Sequence, residues 1–371
     1  MLRVLIGFIS LVISLSFLTS FVTIRFDISD IPSYWLGIVS GFYNIGLTLG
    51  SFKSSKLIKR LGFVKSYMGF ASLIGMSALG LGFEFEPLLW MIFRFFIGYS
   101  LGALFSIIES FVMMQDAKSK SGSFATYAMC LYTGYGLSPY LFKVIEDDIT
   151  STFPLMLIGV MCFISMMIIS LSDIDKLTGK TNGARLMFKD ILQNAPLSLF
   201  YCFGAGFMNT VVYVFFPKVL FYQPLIHFTH LMAVSILGGA LFQYPLRHLS
   251  RHFEKRTILF GINIFIACLI PLCVLFFKTL WLMLFLVMLG ACLLAIYPTV
   301  VTYTCSRFEK AECFNIMQTL LLTYGIGSVI APFIVTGVFM NLFMNNIAVF
   351  GAIFVMNALL LVFRLLKRVT E

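Results

Sequence analysis

Charged side chains make up only 11% of this chain of 371 residues, less than half the share of a typical soluble domain, while 60% of its residues are hydrophobic. That shortage excludes an ordinary water-soluble globule. Acidic residues are the scarcest, 16 against 26 Lys and Arg, and most apolar runs hold none well inside. No G-x-x-x-x-G-K-[ST] phosphate cradle occurs, so a nucleotide-driven pump of that kind is excluded. The eight cysteines include no C-x-x-C pair, so neither a disulfide framework nor a zinc site is indicated. No cluster of nucleophiles, acids and metal ligands stands near either end of the apolar runs, so the reading is not an enzyme, with no catalytic residue, metal or cofactor expected.

What the chain has in abundance is apolar sequence. About twelve runs are long enough to cross roughly 30 Å of hydrocarbon. They lie near 2–24, 34–56, 66–84, 88–114, 121–143, 152–172, 195–217, 227–247, 257–277, 280–304, 312–338 and 345–366. In lipid each must be a helix, which alone satisfies its own backbone without water. The first is too long for a cleavable signal and lacks a small-residue cleavage site, so it is read as the first span. The expected fold class is an all-α polytopic membrane protein. Met (20) and Phe (42) are read as packing and lipid-facing material.

The net charge of +10 follows the topology. With the N-terminus inside, 21 of the 26 Lys and Arg fall in inner segments and four in outer ones. This bias predicts a multi-pass protein of a bacterial cytoplasmic (inner) membrane with both termini cytoplasmic, and no nucleic-acid partner.

The longest polar stretch, 173–194, lies near the midpoint and reads as a cytoplasmic linker between six-helix bundles at 1–172 and 195–371. Its segment 184–192 is amphipathic and suits the membrane surface. The halves resemble each other. KLIKRLGFVKSY (56–67) matches HLSRHFEKRTIL (248–259) at a displacement of 192, and GYGLSPY (134–140) matches GSVIAPF (327–333) at 193. An internal duplication with six spans per copy predicts parallel repeats about an axis along the membrane normal, with a central site between them.

Here the chain resembles the major facilitator superfamily of secondary transporters. That family's loop pattern G-x-x-x-D-R-x-G-R-R is matched by Ser55, Lys59, Arg60, Gly62 and Lys65, and in the second copy by Arg247, Arg251, His252, Glu254, Lys255 and Arg256. The acidic position is Lys59 in one copy and Arg251 in the other, which departs from any gate needing an aspartate there. The family's R-x-x-x-G pattern is matched at Arg94 and Gly98, with Gly102 beyond. The stretches WLGIVSGFYNIG, RFFIGYSLGALFSIIES and YGIGSVIAP also resemble a short bacterial branch, the YcaD-type permeases.

Arg94 stands alone within a span. On a helix, Arg94, Gly98, Gly102, Phe105 and Glu109 fall on one stripe, with the two charges roughly 22 Å apart, too far to neutralise each other. An intramembrane charge by default faces a water-filled cavity or a partner. The glycines argue for helix contact, and the resemblance places this arginine towards the central cavity, where it attracts an anionic group or lowers the pKa of a nearby acid. Glu109, near the inner interface, is read with Lys59, Arg60, Gly62, Arg251 and Arg256 as a cytoplasmic gate, beside the plain alternative of a solvated carboxylate. Asn44, Asn209, Tyr213, Gln243, Tyr297, Gln318 and Tyr324 are candidates for lining the cavity, or else interhelical glue. Gly134 with Pro139, and Gly327 with Pro332, resemble the family's antiporter motif and predict helix kinks. The histidine pairs His227 and His230, and His248 and His252, are read as interfacial rather than metal-binding.

These features imply a small-molecule transporter working by alternating access, with membrane lipid around it, possible proton coupling, and a monomeric state. Proton-coupled efflux leads. A proton-coupled importer or uniporter follows, then a transporter-like receptor or scaffold without flux.

Overall fold

An apolar run in hydrocarbon satisfies its backbone only as a helix, and among the described residues the chain forms helices and no strand. The computed structural model describes residues 2–29, 31–53, 60–83, 86–116, 123–145, 151–171, 186–308, 312–343 and 345–370.

The chain divides into two compact units, residues 1–184 and 185–371. The first contains α1 (Leu2–Ile28), α2 (Ser33–Lys53), α3 (Phe63–Gly80), α4 (Pro87–Asp116), α5 (Ser123–Leu137) and α6 (Phe153–Ser170). The second contains a short helix α7 (Phe188–Asn194), then α8 (Pro196–Phe221), α9 (Phe228–His252), α10 (Lys255–Leu275), α11 (Trp281–Cys305), α12 (Cys313–Ile334) and α13 (Asn345–Thr370). Pro87 and Pro196 open their helices, where a missing N–H costs nothing. Met187 N–H donates to Thr319 Oγ1 at 2.9 Å and Ile191 is buried, so the end of the segment read as a linker packs on the second unit.

Eight helices among the described residues are long and apolar enough to cross a membrane by length and composition. The other long helices α2, α3, α5 and α9 are shorter or more polar. On α2 the reason is visible. Ser40, Asn44, Thr48 and Ser51 form one buried stripe, and Asn44, Thr48 and Ser51 each bond back to a carbonyl of their own helix at 2.8–2.9 Å. The span therefore carries polar atoms without presenting them to lipid.

Glycines set the helix pairing. In the first unit Gly46 and Gly50 of α2 lie against the carbonyls of Phe95 and Tyr99, while Gly98 and Gly102 of α4 lie against those of Tyr43 and Leu47. A Cβ at any of the four would overlap backbone, so only glycine permits this approach. In the second unit Gly238 of α9 lies against the Val287 carbonyl and Gly290 of α11 against that of Ser235. These contacts are copies: Gly46 with Phe95 and Gly98 with Tyr43 reappear 192 positions on as Gly238 with Val287 and Gly290 with Ser235. The duplication thus has a geometric signature inside each unit, independent of the loop motifs that first suggested it.

Among the described residues two helices change geometry. The α5 path tightens into a 3-10 turn at Ser138–Leu141, which contains Pro139, and then continues as Phe142–Ile145. The α12 path widens into a π turn at Val335–Phe339 after Pro332, with Thr336 Oγ1 donating to the Pro332 carbonyl at 2.8 Å.

Candidate functional site

Arg94 is fully buried, at 0% exposure. Its guanidinium carbon stands 4.2 Å from the Tyr43 ring centroid, and Nη2 donates weakly to Thr19 Oγ1 at 3.5 Å. Nε and Nη1, which carry three of the five guanidinium N–H groups, have no hydrogen-bond partner. Among the described residues no carboxylate pairs with it. Placing a cation at membrane depth costs at least about 2.5–3.5 kcal/mol, whereas a desolvated cation–π contact returns about 2 kcal/mol. The arginine is therefore held but not fully satisfied. Chemically it is a cation with hydrogen-bonding capacity to spare.

In the second unit, three of the sequence candidates come together. Asn209 Nδ2 on α8 donates to Tyr324 Oη on α12 at 3.3 Å, and the Tyr324 ring meets that of Tyr297 on α11 edge-on, 5.1 Å between centroids. Asn209 is buried and its Oδ1 accepts no hydrogen bond. Tyr213, one turn along α8, is half-buried. The helices reach this arrangement because Gly206 and Gly327 rest on the carbonyls of Tyr324 and Phe203, bringing α8 and α12 to backbone contact. The cluster offers aromatic faces and one open amide acceptor.

The remaining candidates stand apart. Asn44 and Gln243 donate to their own helices, at Ser40 and Gly239. Gln318 is half-buried on α12, about 120° round the helix from Tyr324. Gly134 packs against the Val12 side chain of α1, and Ser138 Oγ, beside Pro139, donates to Ser16 Oγ at 2.6 Å.

Of the gate residues, Lys59 and the side chains of Glu109 and Arg251 lie outside the described residues. Arg60 is exposed, and Arg256 is half-buried in the first turn of α10. Gly62 has φ 84° and immediately precedes α3. That left-handed conformation gives its place in the loop motif a physical reason. His227 accepts from Thr229 N–H through Nδ1 at 3.4 Å and caps α9, which is a structural task.

The sequence reading missed Tyr43 and Thr19, the two contacts of Arg94. One is among 15 tyrosines. The other belongs to a run of buried hydroxyls on α1 (Ser14, Ser16, Thr19, Ser20 and Thr23). The usable signal was position: Tyr43 sits between Ser40 and Gly46 on the face of α2 whose glycines match those of α4.

The family model of the Major Facilitator Superfamily matches residues 3–332. The chain is 27% identical over 333 residues to the uncharacterized MFS-type transporter YcaD of Escherichia fergusonii, covering 88% of this chain and 85% of that one. It is 25% identical over 335 residues to YcaD of Salmonella heidelberg, covering 88% and 86%. Its fold is similar to the crystal structure of the nucleoside transporter NupG, with a TM-score of 0.76 and 12% identity over 97% of this chain and 96% of that one. It is also similar to a POT family transporter in complex with 5-aminolevulinic acid, with a TM-score of 0.73 and 13% identity over 98% and 95%. At that identity the likeness is one of fold. The chain is a multi-pass membrane protein and belongs to the Major Facilitator Superfamily.

Proposed function

We propose that the protein is a secondary transporter that moves a small molecule with an anionic group across the cytoplasmic membrane by alternating access, with both termini cytoplasmic. The observation that carries this reading is Arg94, fully buried with Nε and Nη1 unpartnered. A buried guanidinium that serves only packing normally spends its N–H groups on carboxylates or carbonyls. One left open is suited to a ligand that arrives and leaves. The Asn209–Tyr324–Tyr297 cluster supports substrate contact in the second unit, through aromatic faces and the open Oδ1. Efflux is favoured by the antiporter-like sequences around Pro139 and Pro332, with Arg60, Gly62 and Arg256 near the inner gate. Uniport is the second reading, favoured by the lack of a carboxylate beside Arg94 among the described residues.

The test is thermal stabilisation of the purified protein in detergent by a broad set of metabolites and drugs, run on wild type and Arg94→Ala together, followed by flux in liposomes. A ligand that stabilises only when Arg94 is present supports the reading, since stabilisation follows mass action. Equal stabilisation of both proteins removes the arginine from the site. Binding without flux makes the protein a receptor instead.

A further inference from the structure

At the end of the second unit where α8 and α10 begin and α11 ends, the surface opens into a cavity of about 370 Å³. Arg256, Arg307, Tyr303 and Asn194 line it, and among the described residues no carboxylate does. A smaller pocket adjoins it, sharing Arg256 and Tyr303 and adding Arg364 and Tyr201. Three guanidinium groups therefore converge, from the start of α10, the turn after α11 and the inner end of α13.

Two of them are pre-positioned. Arg307 lies over the Tyr303 ring at 4.9 Å and donates to the Asn194 carbonyl at 3.2 Å. Arg364 lies over the Phe260 ring at 4.1 Å and donates to the Arg256 carbonyl at 2.8 Å. At the deep end the Tyr201 hydroxyl is buried, at 2% exposure, and faces the Arg364 and Arg256 side chains. The starts of α8 and α10 add the positive ends of two helix dipoles. Every one of these groups favours an anion. The helices that supply the lining also carry exposed apolar side chains: Leu192 on α7, and Phe200 on α8, whose ring stacks on Phe363.

A cationic, hydrogen-bonding cavity beside exposed apolar surface at the end of a helical bundle matches a molecule with a phosphate head and hydrocarbon chains. The charge bias along the chain assigns this end to the cytoplasmic leaflet, where anionic lipids concentrate. We propose that the cavity binds the phosphate of an anionic phospholipid headgroup and anchors that lipid against the second unit. The orientation argument rests on the topology proposed above, whereas the binding measurement in detergent does not, so the two fail separately.

The test uses the delipidated full-length protein in neutral detergent. Thermal stabilisation and native-mass adducts are measured with phosphatidylglycerol, phosphatidylcholine, glycerol 3-phosphate and inorganic phosphate. Phosphatidylglycerol is expected to stabilise wild type well below the concentration needed for phosphatidylcholine. Its half-saturation should rise about tenfold in Arg307→Gln, the effect of losing one charge-assisted contact. Arg307→Lys should lose less, and Lys65→Gln, which removes an exposed charge in the other unit, should leave binding unchanged. Equal phosphatidylglycerol binding by wild type and Arg307→Gln overturns the site. Glycerol 3-phosphate or inorganic phosphate acting at the same concentrations as the lipid overturns the lipid assignment in favour of a soluble phosphate.

Discussion

The Arg94 guanidinium sits 4.2 Å from the ring centroid of Tyr43, and the carbonyl of that same tyrosine rests against Gly98, one turn further along α4. The two contacts depend on each other. Glycine brings α2 and α4 into backbone contact, and this closeness puts the arginine over the aromatic face. The ring holds the cation without consuming its N–H donors, which leaves Nε and Nη1 open in the interior. Tyr43→Phe should therefore keep ligand stabilisation close to wild type. Tyr43→Leu should weaken ligand binding by about 1–2 kcal/mol, the worth of a desolvated cation–π contact. Ligand-dependent thermal shifts of the two variants check this, and a large loss in the phenylalanine variant would assign the effect to the hydroxyl instead.

The glycine seams predict paired stability losses. Gly98→Ala and its counterpart Gly290→Ala both push a methyl into a carbonyl, and each should destabilise by about 1–3 kcal/mol. Gly69→Ala and Gly261→Ala, where no atom lies within 4 Å of the new Cβ, should be neutral or stabilising by up to about 1 kcal/mol. Melting temperatures of the four variants in one detergent decide it, and equal behaviour of all four would remove the seam argument.

Gly62 adopts φ 84° just before α3. Gly62→Ala and Gly62→Asn should each cost about 1–3 kcal/mol, because φ 84° with ψ 174° is a backbone region open essentially to glycine alone. Chemical denaturation of the purified variants measures both losses, and an asparagine variant as stable as wild type would contradict the assignment.

Tyr324→Phe removes the acceptor of Asn209 Nδ2. If the pair were only glue between α8 and α12, the variant would lose about 0.6 kcal/mol of stability, typical of an interhelical hydrogen bond, and nothing else. The expected outcome is that small loss together with weaker ligand stabilisation. Unchanged ligand binding would return the pair to structure.

How far these features could be read in advance depended on rarity. Arg94 was legible because one charge in an apolar run has few explanations, and Gly98 and Gly102 because their spacing matched it. Tyr43 and Thr19 were not, since aromatic and hydroxyl side chains are common in membrane helices; the pairing of α2 with α4 selects Tyr43, and the packing of α1 beside Arg94 selects Thr19. Asn209 and Tyr324 were each legible as polar residues in spans, but their hydrogen bond joins positions 115 apart, which no local pattern encodes. Most span locations followed from apolar length. The polar stripe of α2 did not, because back-bonding to its own carbonyls hides it from lipid without altering its composition. The prolines announced that α5 and α12 deviate, but not that one would tighten and the other widen.

A helix pair joined backbone to backbone at its glycines has few side chains at those contacts to repack, so it behaves mechanically as one stiff beam. If α4 tilts, α2 travels with it, and Arg94 keeps its station over Tyr43 through any such movement. Compliance has to lie elsewhere, and the described helices offer it at the 3-10 turn of Ser138–Leu141 and the π turn of Val335–Phe339. The ancestral duplication copied the beams at a fixed displacement but left the joints unlike, one wound tighter and the other looser. The two halves are thereby equipped to flex by different amounts, with the arginine riding on only one of them.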